Sequence, residues 1–386
     1  MKDTITELIE LFDEAKQRQE FEFVQSLINY TGMGAKELST NLHEWFEAIE
    51  FYKKLYLSHS NKEKTRIGTL LYSTFFENSD FYNILGSLCK IKLGYKGSSY
   101  LFWKTKKYER LLGIGEKQDF LLELLEDAGK QKIISFFIEN HFKEIRNTFF
   151  HSAYSLDGTE YILHDSEPII IDGICQYSFS AEKFLFPKIE NIIQVFDTFR
   201  KLYLDSFMSY QTDKEVDARF PNPCKATILG SKNGLKGFRI KNSVQLFGEW
   251  KDSGVWYDEK RGMWAGHNIH MTFADVETIE ISDSLTRYET KDDIKRCDLE
   301  FQNLVDKIQE RKQPSEIKRA TRLLVKFGDA RFLKMVTEMN EFKQRTYPKV
   351  ILPFYRQALE IGSQIMDMAE VKNKIKTLED FMVQQF

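Results

Sequence analysis

The residues whose types and spacing could do chemistry lie in one short segment, ENHFKEIRNTFFH at positions 139–151. Asn147 and His151 are i,i+4 neighbours and share one face of a helix, and the long Arg146 side chain can reach the same space. An arginine is always charged and can hold a phosphate with two hydrogen bonds. A histidine can move a proton to or from a ribose 2′-hydroxyl or a leaving oxygen near neutral pH. The segment therefore indicates a site for RNA cleavage.

At about 100° per residue, this segment forms an amphipathic helix. Four apolar residues fall on the side that we expect to face the core: Ile138, Phe142, Ile145 and Phe149. Three polar residues fall on the opposite side: Lys143, Asn147 and His151. Glu139 and Lys143 are i,i+4 neighbours, which predicts a salt bridge that supports the helix. The alternative interpretation is an ordinary solvated face, with Asn147 or His151 near the last helical carbonyls.

The spacing between arginine and histidine is not specific by itself. Chance gives about one pair with four to six intervening residues in a chain of this composition, and two occur, Arg146/His151 and Arg261/His267. The second pair encloses two glycines in a region with strand-like composition, which favours a turn between strands over a helix. Only the first pair ends an amphipathic helical pattern.

Arg146-Asn147-x-x-x-His151 at the end of a helix, in a helical region covering residues 1–210, resembles the signature of the HEPN superfamily. The resemblance implies a helical domain that dimerises, so that two Arg/His pairs line one cleft. It also implies a metal-independent endoribonuclease without a cofactor, as in many toxin, abortive-infection and CRISPR-associated proteins. In that case Arg146 holds the scissile phosphate, His151 acts as general base or acid, and Asn147 orients the phosphate or the imidazole. The products are a 2′,3′-cyclic phosphate and a 5′-hydroxyl.

The chain departs from this family pattern at two places. Toxins of the superfamily that nucleotidyltransferase antitoxins silence often carry tyrosine two residues after the histidine. Here that position is Ala153 and Tyr154 follows it, which argues against that form of regulation. The C-terminal half also lies outside the family core. We expect the chain to bind RNA and a second copy of itself. An antitoxin or a phage-derived trigger is a further expected partner. The alternative function is an inactive HEPN-like scaffold that binds RNA or protein.

A basic and aromatic stretch at residues 90–117 is a candidate track for single-stranded RNA, since cations reach phosphates and aromatic rings stack on bases. Together with Lys143, the residues that we expect to bind RNA are Lys104, Lys106, Lys107, Trp103 and Tyr108. A basic solvated loop whose aromatic rings pack in the core explains the stretch equally well. The basic run at residues 311–349 favours a solvated helix face over a nucleic-acid surface.

Composition narrows the class of protein. The 386 residues include 55 Lys and Arg against 58 Asp and Glu, giving a net charge of −3, so a polyanion must be bound by local basic patches. Four cysteines without a CxxC pair predict neither a disulfide framework nor a zinc finger. His267 and His270 lack an obvious third ligand, so we expect no metal site. The acidic, amphipathic first residues and the absence of a long apolar run indicate a cytoplasmic protein without a membrane span.

The pattern of elements predicts an α+β fold with three parts: a mainly helical region with a hairpin insertion at 1–212, a small β-rich region at 213–290 and a C-terminal helical region at 291–386. The predicted N-terminal helices cover 4–28 from a Thr4/Glu7 capping box, then 37–57, 62–93, 117–150 and 187–210. Asp-Gly pairs at 157–158 and 172–173 predict tight hairpin turns. Pro314, Pro348 and Pro353 are expected to interrupt the C-terminal helices.

Overall fold

The computed structural model confirms an α+β, mainly helical fold. The residues that it describes are 1–29, 41–94, 103–104, 110–164, 166–219, 223–246, 249–259, 262–267, 317, 321–322, 324–325, 328–329, 331–333, 335–336, 347–363 and 366–383. The chain divides into two compact units, one comprising 1–103 and 110–273 and the other 104–109 and 274–386.

The first unit is built mainly from helices. They are α1 (Lys2–Arg18), α2 (Glu20–Ile28), α3 (Leu42–Ser58), α4 (Asn61–Glu77), α5 (Ser79–Lys92), α6 (Ile114–Asp127), α7 (Gln131–Asn140), α8 (Lys143–Phe150) and α9 (Phe186–Met208). A π-helical turn, Ala181–Leu185, leads into α9. The first strands are β1 (Trp103–Lys104), β2 (Arg110–Leu111), β3 (Tyr154–Asp157), β4 (Glu160–Leu163), β5 (Ile169–Ile171), β6 (Ile174–Gln176) and β7 (Ser178–Ser180).

Aromatic rings form the centre of the helical core. The ring of Trp45 on α3 lies 5.3–5.7 Å from the rings of Phe46, Phe75, Phe81 and Phe196, measured between centroids. All five side chains are buried. Edge-to-face and tilted ring pairs of this kind add to the free energy gained from burial alone. The core explains why many of the 32 phenylalanines are needed for packing.

Two of the long helices predicted from the sequence are interrupted. The chain leaves the helical conformation at Gln19, which separates α1 from α2, and is extended at Asn78, which separates α4 from α5. Asn78 accepts a hydrogen bond from the amide of Phe81 at 2.7 Å and so caps α5. Both breaks fall in short polar runs, at positions 16–20 and 77–80, but apolar residues resume beyond each of them, so hydrophobic periodicity alone did not mark a helix end.

The predicted Thr4/Glu7 capping box is also wrong, because α1 begins at Lys2. Glu7 accepts hydrogen bonds from the amides of Lys132 and Ile133 at 2.8 and 3.1 Å. The carboxylate therefore caps α7, a helix more than one hundred residues further along the chain, and satisfies amides that have no partner within that helix.

Both hairpins that the Asp-Gly pairs predict are present. Strands β3, β4 and β7 form one antiparallel sheet, and β5 and β6 form a separate two-stranded hairpin. Asp172 and Gly173 both have positive φ, at 51° and 78°, as a type I′ turn requires. In the first hairpin Asp157 pairs with Glu160, so the turn lies one residue later than expected.

The β-rich region forms a five-stranded antiparallel sheet in the order β12-β11-β10-β9-β8. Its strands are β8 (Lys214–Arg219), β9 (Pro223–Ser231), β10 (Gly234–Leu246), β11 (Glu249–Asp258) and β12 (Met263–His267). The sheet packs on the helices, with the rings of Phe21 and Phe238 5.0 Å apart. The helices and this sheet thus share one compact unit that ends at position 273, and the domain boundaries at 212 and 290 stay a prediction.

The described C-terminal part of the second unit is mainly helical, as predicted. It contains α10 (Pro348–Gly362) and α11 (Ala369–Val383), which pack together around Ile351, Tyr355 and Leu378. Pro348 begins α10, but Pro353 lies inside it, so the predicted interruption at Pro353 is wrong. The buried neighbours Leu352 and Phe354 hold the helix through the proline because tertiary packing outweighs local propensity. Pro314 lies outside the described residues.

Within the described residues, no helix has both the length and the apolar character that a membrane-spanning helix requires.

Candidate active site

Helix α8 carries the Arg-Asn-x-x-x-His motif, and a buried tyrosine fixes where this helix begins. The hydroxyl of Tyr72 donates to the carbonyl of Asn140 at 2.8 Å and accepts from the amide of Phe142 at 2.7 Å. These two bonds satisfy backbone groups at the end of α7 that would otherwise lack this hydrogen-bond partner. The chain is extended at Phe142, and α8 starts at Lys143.

The helical run predicted over 117–150 therefore consists of three helices, and the predicted core face is partly wrong. Ile138 belongs to α7 and its side chain is 64% exposed, while Phe142 precedes α8. Within α8 the buried residues are Ile145 and Thr148. The hydroxyl of Thr148 lies 3.1 Å from the hydroxyl of Tyr161, which fastens α8 to strand β4.

The C-terminal end of α8 has a well-defined backbone geometry that positions His151. Ser152 adopts a left-handed conformation with φ 54°. The amide of Ala153 donates to the carbonyl of Thr148 at 2.8 Å, and that of Ser152 to Phe149 at 3.1 Å. This pair of bonds is the Schellman motif, which ends a helix and turns the chain away. His151 is the exposed last residue before that turn.

Arg146 is held on two sides. Its Nε donates to a carboxylate oxygen of Glu77, the last residue of α4. Its Nη1 donates to the side-chain oxygen of Asn147 at 2.7 Å, and its guanidinium lies 5.8 Å from the centre of the Phe150 ring. The Arg146 side chain is 29% exposed. The guanidinium is thus oriented by neighbours and still reaches the surface.

Among the described residues, no hydrogen bond joins the side chains of Arg146 and His151. Their positions differ by five, so their Cα atoms are about 7.5 Å apart along the helix axis and about 140° apart around it. A group that contacts both must span one end of α8. A phosphodiester with its two flanking riboses is an extended ligand of that kind.

His141 and Tyr82 lie near Arg146 in a largely buried environment. The ring of His141 packs against Phe76 with centroids 4.6 Å apart, and its Nε2 is buried without a hydrogen-bond partner in the described part of the chain. Burial, reinforced by the positive charge of Arg146, lowers the pKa of His141 to about 4. Burial also raises the pKa of Tyr82, which lies near Glu77 and Arg146.

Lys143 pairs with a different carboxylate from the one predicted. Its Nζ lies 2.7 Å from Oε2 of Glu167, and both side chains are exposed. The hydrogen bond to Glu167 raises the pKa of Lys143. The backbone carbonyl oxygen of Glu139 accepts a hydrogen bond from Nζ of Lys188 at 2.7 Å. The expected salt bridge between Glu139 and Lys143 is therefore absent from the described structure, because the chain leaves the helix between them.

The remaining residues expected to bind RNA cannot be placed against this site. Trp103 and Lys104 form β1, whose side chains are outside the described part, and Lys106, Lys107 and Tyr108 lie outside it entirely. The alternative pair falls in the sheet region: Arg261 is outside the described residues, and His267 is on β12 with its ring stacked 3.7 Å from that of Trp256.

Two residues beside the motif were missed in the sequence. Glu77 is separated from Arg146 by 69 positions, and no local pattern links them. His164 follows the first predicted hairpin, and its side chain bonds to Ser155 at 2.8 Å. Pairing the two predicted strands across a turn at Asp157-Gly158 would have placed His164 opposite His151, close to the motif, whereas in the structure it lies opposite Ala153.

No protein-family model matches this chain, and neither does any curated protein or solved structure. The described residues also hold no group of three His, Cys, Asp or Glu side chains arranged to bind a metal ion.

Proposed function

We propose that this protein is a metal-independent endoribonuclease in which Arg146, Asn147 and His151 act on the scissile phosphodiester. One observation carries the proposal: a partly exposed guanidinium, oriented by Glu77 and Asn147, lies on the same short helix that ends in an exposed imidazole. The guanidinium binds the phosphate and offsets the negative charge of the transition state. The imidazole exchanges a proton with the attacking or the leaving oxygen.

The reaction follows from these two groups. The 2′-hydroxyl of the ribose attacks the adjacent phosphorus, and the bond to the 5′-oxygen of the next nucleotide breaks. The products are a 2′,3′-cyclic phosphate and a 5′-hydroxyl, and no water enters this step. Asn147 positions the guanidinium by accepting from Nη1. Lys143, exposed on the same helix, adds a positive charge for neighbouring phosphates.

We further propose that the active form is a homodimer that brings two such helices to one cleft. Two large apolar side chains are exposed on the helices that carry or precede the motif, Ile138 on α7 at 64% and Phe150 on α8 at 49%. Exposed apolar patches are typical of interaction surfaces, and we assign these two side chains to the proposed dimer interface. A role in anti-phage defence or toxin-type growth arrest, with an antitoxin or a phage-derived trigger as partner, extends the proposal.

The ion pair between Glu77 and Arg146 favours a second candidate function. An arginine that is already neutralised by a carboxylate can serve to join α4 to α8. In that case the protein is an inactive scaffold that binds RNA or protein through the same surface, since a fold does not fix an activity.

Incubation with single-stranded RNA in EDTA separates the two functions. The ribonuclease proposal expects cleavage by the wild-type chain and its loss in both Arg146→Ala and His151→Ala. His43→Ala is a matched control, because His43 is an exposed histidine on α3 and should cleave like the wild type. Binding without cleavage supports the scaffold. Cleavage that survives both substitutions contradicts the proposed site.

A further inference from the structure

A second exposed imidazole, that of His164, lies beside the end of α8. The amide of His164 donates to the carbonyl of Ala153 at 2.8 Å, which extends the β3–β4 pairing by one step. Ala153 follows His151 by two residues. Two residues span at most about 7 Å and paired strands are about 5 Å apart, so the Cα atoms of the two histidines lie within about 12 Å.

His164 and Glu167 contact opposite ends of α8. Glu167, three residues later, reaches Lys143 at the first turn of the helix with a contact of 2.7 Å, whereas His164 bonds just past the last turn. His164 therefore lies at the end of α8 that carries His151.

The ring of His164 is oriented by a hydroxyl group. Oγ of Ser155 lies 2.8 Å from Nε2 of His164, and both residues are exposed. They share the outer face of the hairpin, whereas Tyr161 and Leu163 are buried on the inner face. With Nε2–H donating to Ser155, the other nitrogen, Nδ1, is directed away from the hydroxyl, because the partner of one ring nitrogen fixes the role of the other.

We propose that His164 is a second catalytic histidine, which donates a proton to the 5′-oxygen leaving group; this inference rests on the proposed ribonuclease function. The 2′-hydroxyl proton passes to His151 as the new bond from the 2′-oxygen to phosphorus forms. The bond from phosphorus to the 5′-oxygen breaks, and that oxygen takes the proton from Nδ1 of His164. Nε2–H stays bonded to Ser155 throughout, and exchange with water restores both rings.

The hydrogen bond that His164 donates to Ser155 suits an acid. A neutral hydroxyl orients the ring without the charge of a carboxylate, which would favour retention of the proton. Ser155 is a positioning residue in this proposal, because it acts on the substrate only through His164.

The test uses the full-length chain and two RNA substrates of the same sequence. One has an ordinary linkage at the position that the wild-type chain cleaves, and the other has a 5′-bridging sulfur there. A thiolate leaves without a proton, so the sulfur substrate does not need a general acid. We expect His164→Ala and His164→Gln to cleave the ordinary RNA at least about 100-fold more slowly than the wild type, and the sulfur substrate within about threefold.

Ser155→Ala should show the same selectivity with a smaller loss, and His43→Ala should match the wild type on both substrates. Equal losses on both substrates in the His164 variants, or no loss on either, overturn the role of His164 while leaving the ribonuclease proposal intact. A wild-type chain that cleaves neither substrate overturns the ribonuclease proposal itself, and this inference with it.

Discussion

Glu77 at the end of α4 accepts a hydrogen bond from Nε of Arg146 on α8. The two residues are far apart in the sequence, and their pairing sets the direction in which the guanidinium points. Its remaining donors are left for Asn147 and for a ligand at the surface. The carboxylate therefore limits the positive charge of the site and at the same time holds it in place.

Substitution of Glu77 by alanine tests whether this orientation matters. We expect Glu77→Ala to lower the free energy of unfolding by about 1–2 kcal/mol, between the values typical of exposed and buried ion pairs. RNA cleavage should fall by about tenfold or more, because the guanidinium is no longer held. Denaturant unfolding and single-turnover cleavage measure the two effects.

Glu63→Ala is the matched control on the same helix, since Glu63 pairs with Arg66 and both side chains are more than half exposed. It should change neither quantity. Faster cleavage by Glu77→Ala would contradict a positioning role and would mean that Glu77 only masks the charge of Arg146.

Tyr72→Phe tests the bonds that separate α7 from α8. Removal of the hydroxyl leaves the carbonyl of Asn140 and the amide of Phe142 without this partner, so we expect a loss of about 1–3 kcal/mol in the free energy of unfolding. Tyr82→Phe is the control, because the buried hydroxyl of Tyr82 has no hydrogen-bond partner among the described residues. That variant should be as stable as the wild type. Equal losses in both variants would contradict the importance of the two bonds.

The sequence predicted the parts of this fold that depend on local pattern. The apolar period found the helices, and the Asp-Gly pairs found both hairpins. The helix breaks at Asn78 and before Lys143 were missed, because distant partners stabilise them: Tyr72, for example, bonds across 70 positions to Phe142. The motif is a local pattern and was therefore visible in the sequence. Glu77 contacts it from a distant position and was not.

His141 makes stability depend on pH. Its pKa is about 4 in the folded chain and near 6.5 when unfolded, so the unfolded state binds more protons between these values. Stability should therefore be lost as pH falls from about 6.5 to 4, by up to about 3 kcal/mol from this group. His141→Phe keeps the contact with Phe76 and cannot be protonated, so this loss should disappear from its unfolding curves.

His43→Phe serves as the control, because the His43 side chain is 87% exposed. It should retain the full pH dependence of the wild type. An unchanged slope in His141→Phe would show that His141 does not cause the effect.

The proposed homodimer can be measured by light scattering at concentrations that cleave RNA. We expect a mass of twice the 45.6 kDa chain. Ile138→Asp replaces an exposed apolar side chain of α7 with a charged one and should reduce both the measured mass and the cleavage rate. Leu57→Asp, at a position that is 68% exposed on α3, should change neither. Full activity in a strictly monomeric chain would contradict a cleft shared by two copies.

The chemistry at the RNA termini is the most direct measurement of the proposed reaction. Mass spectrometry of RNA cleaved by the wild-type chain should find 2′,3′-cyclic phosphate and 5′-hydroxyl ends, and neither end should form with Arg146→Ala or His151→Ala. Products with 5′-phosphate ends, or the same cyclic phosphate formed at the wild-type rate by His151→Ala, would contradict a site built on Arg146 and His151.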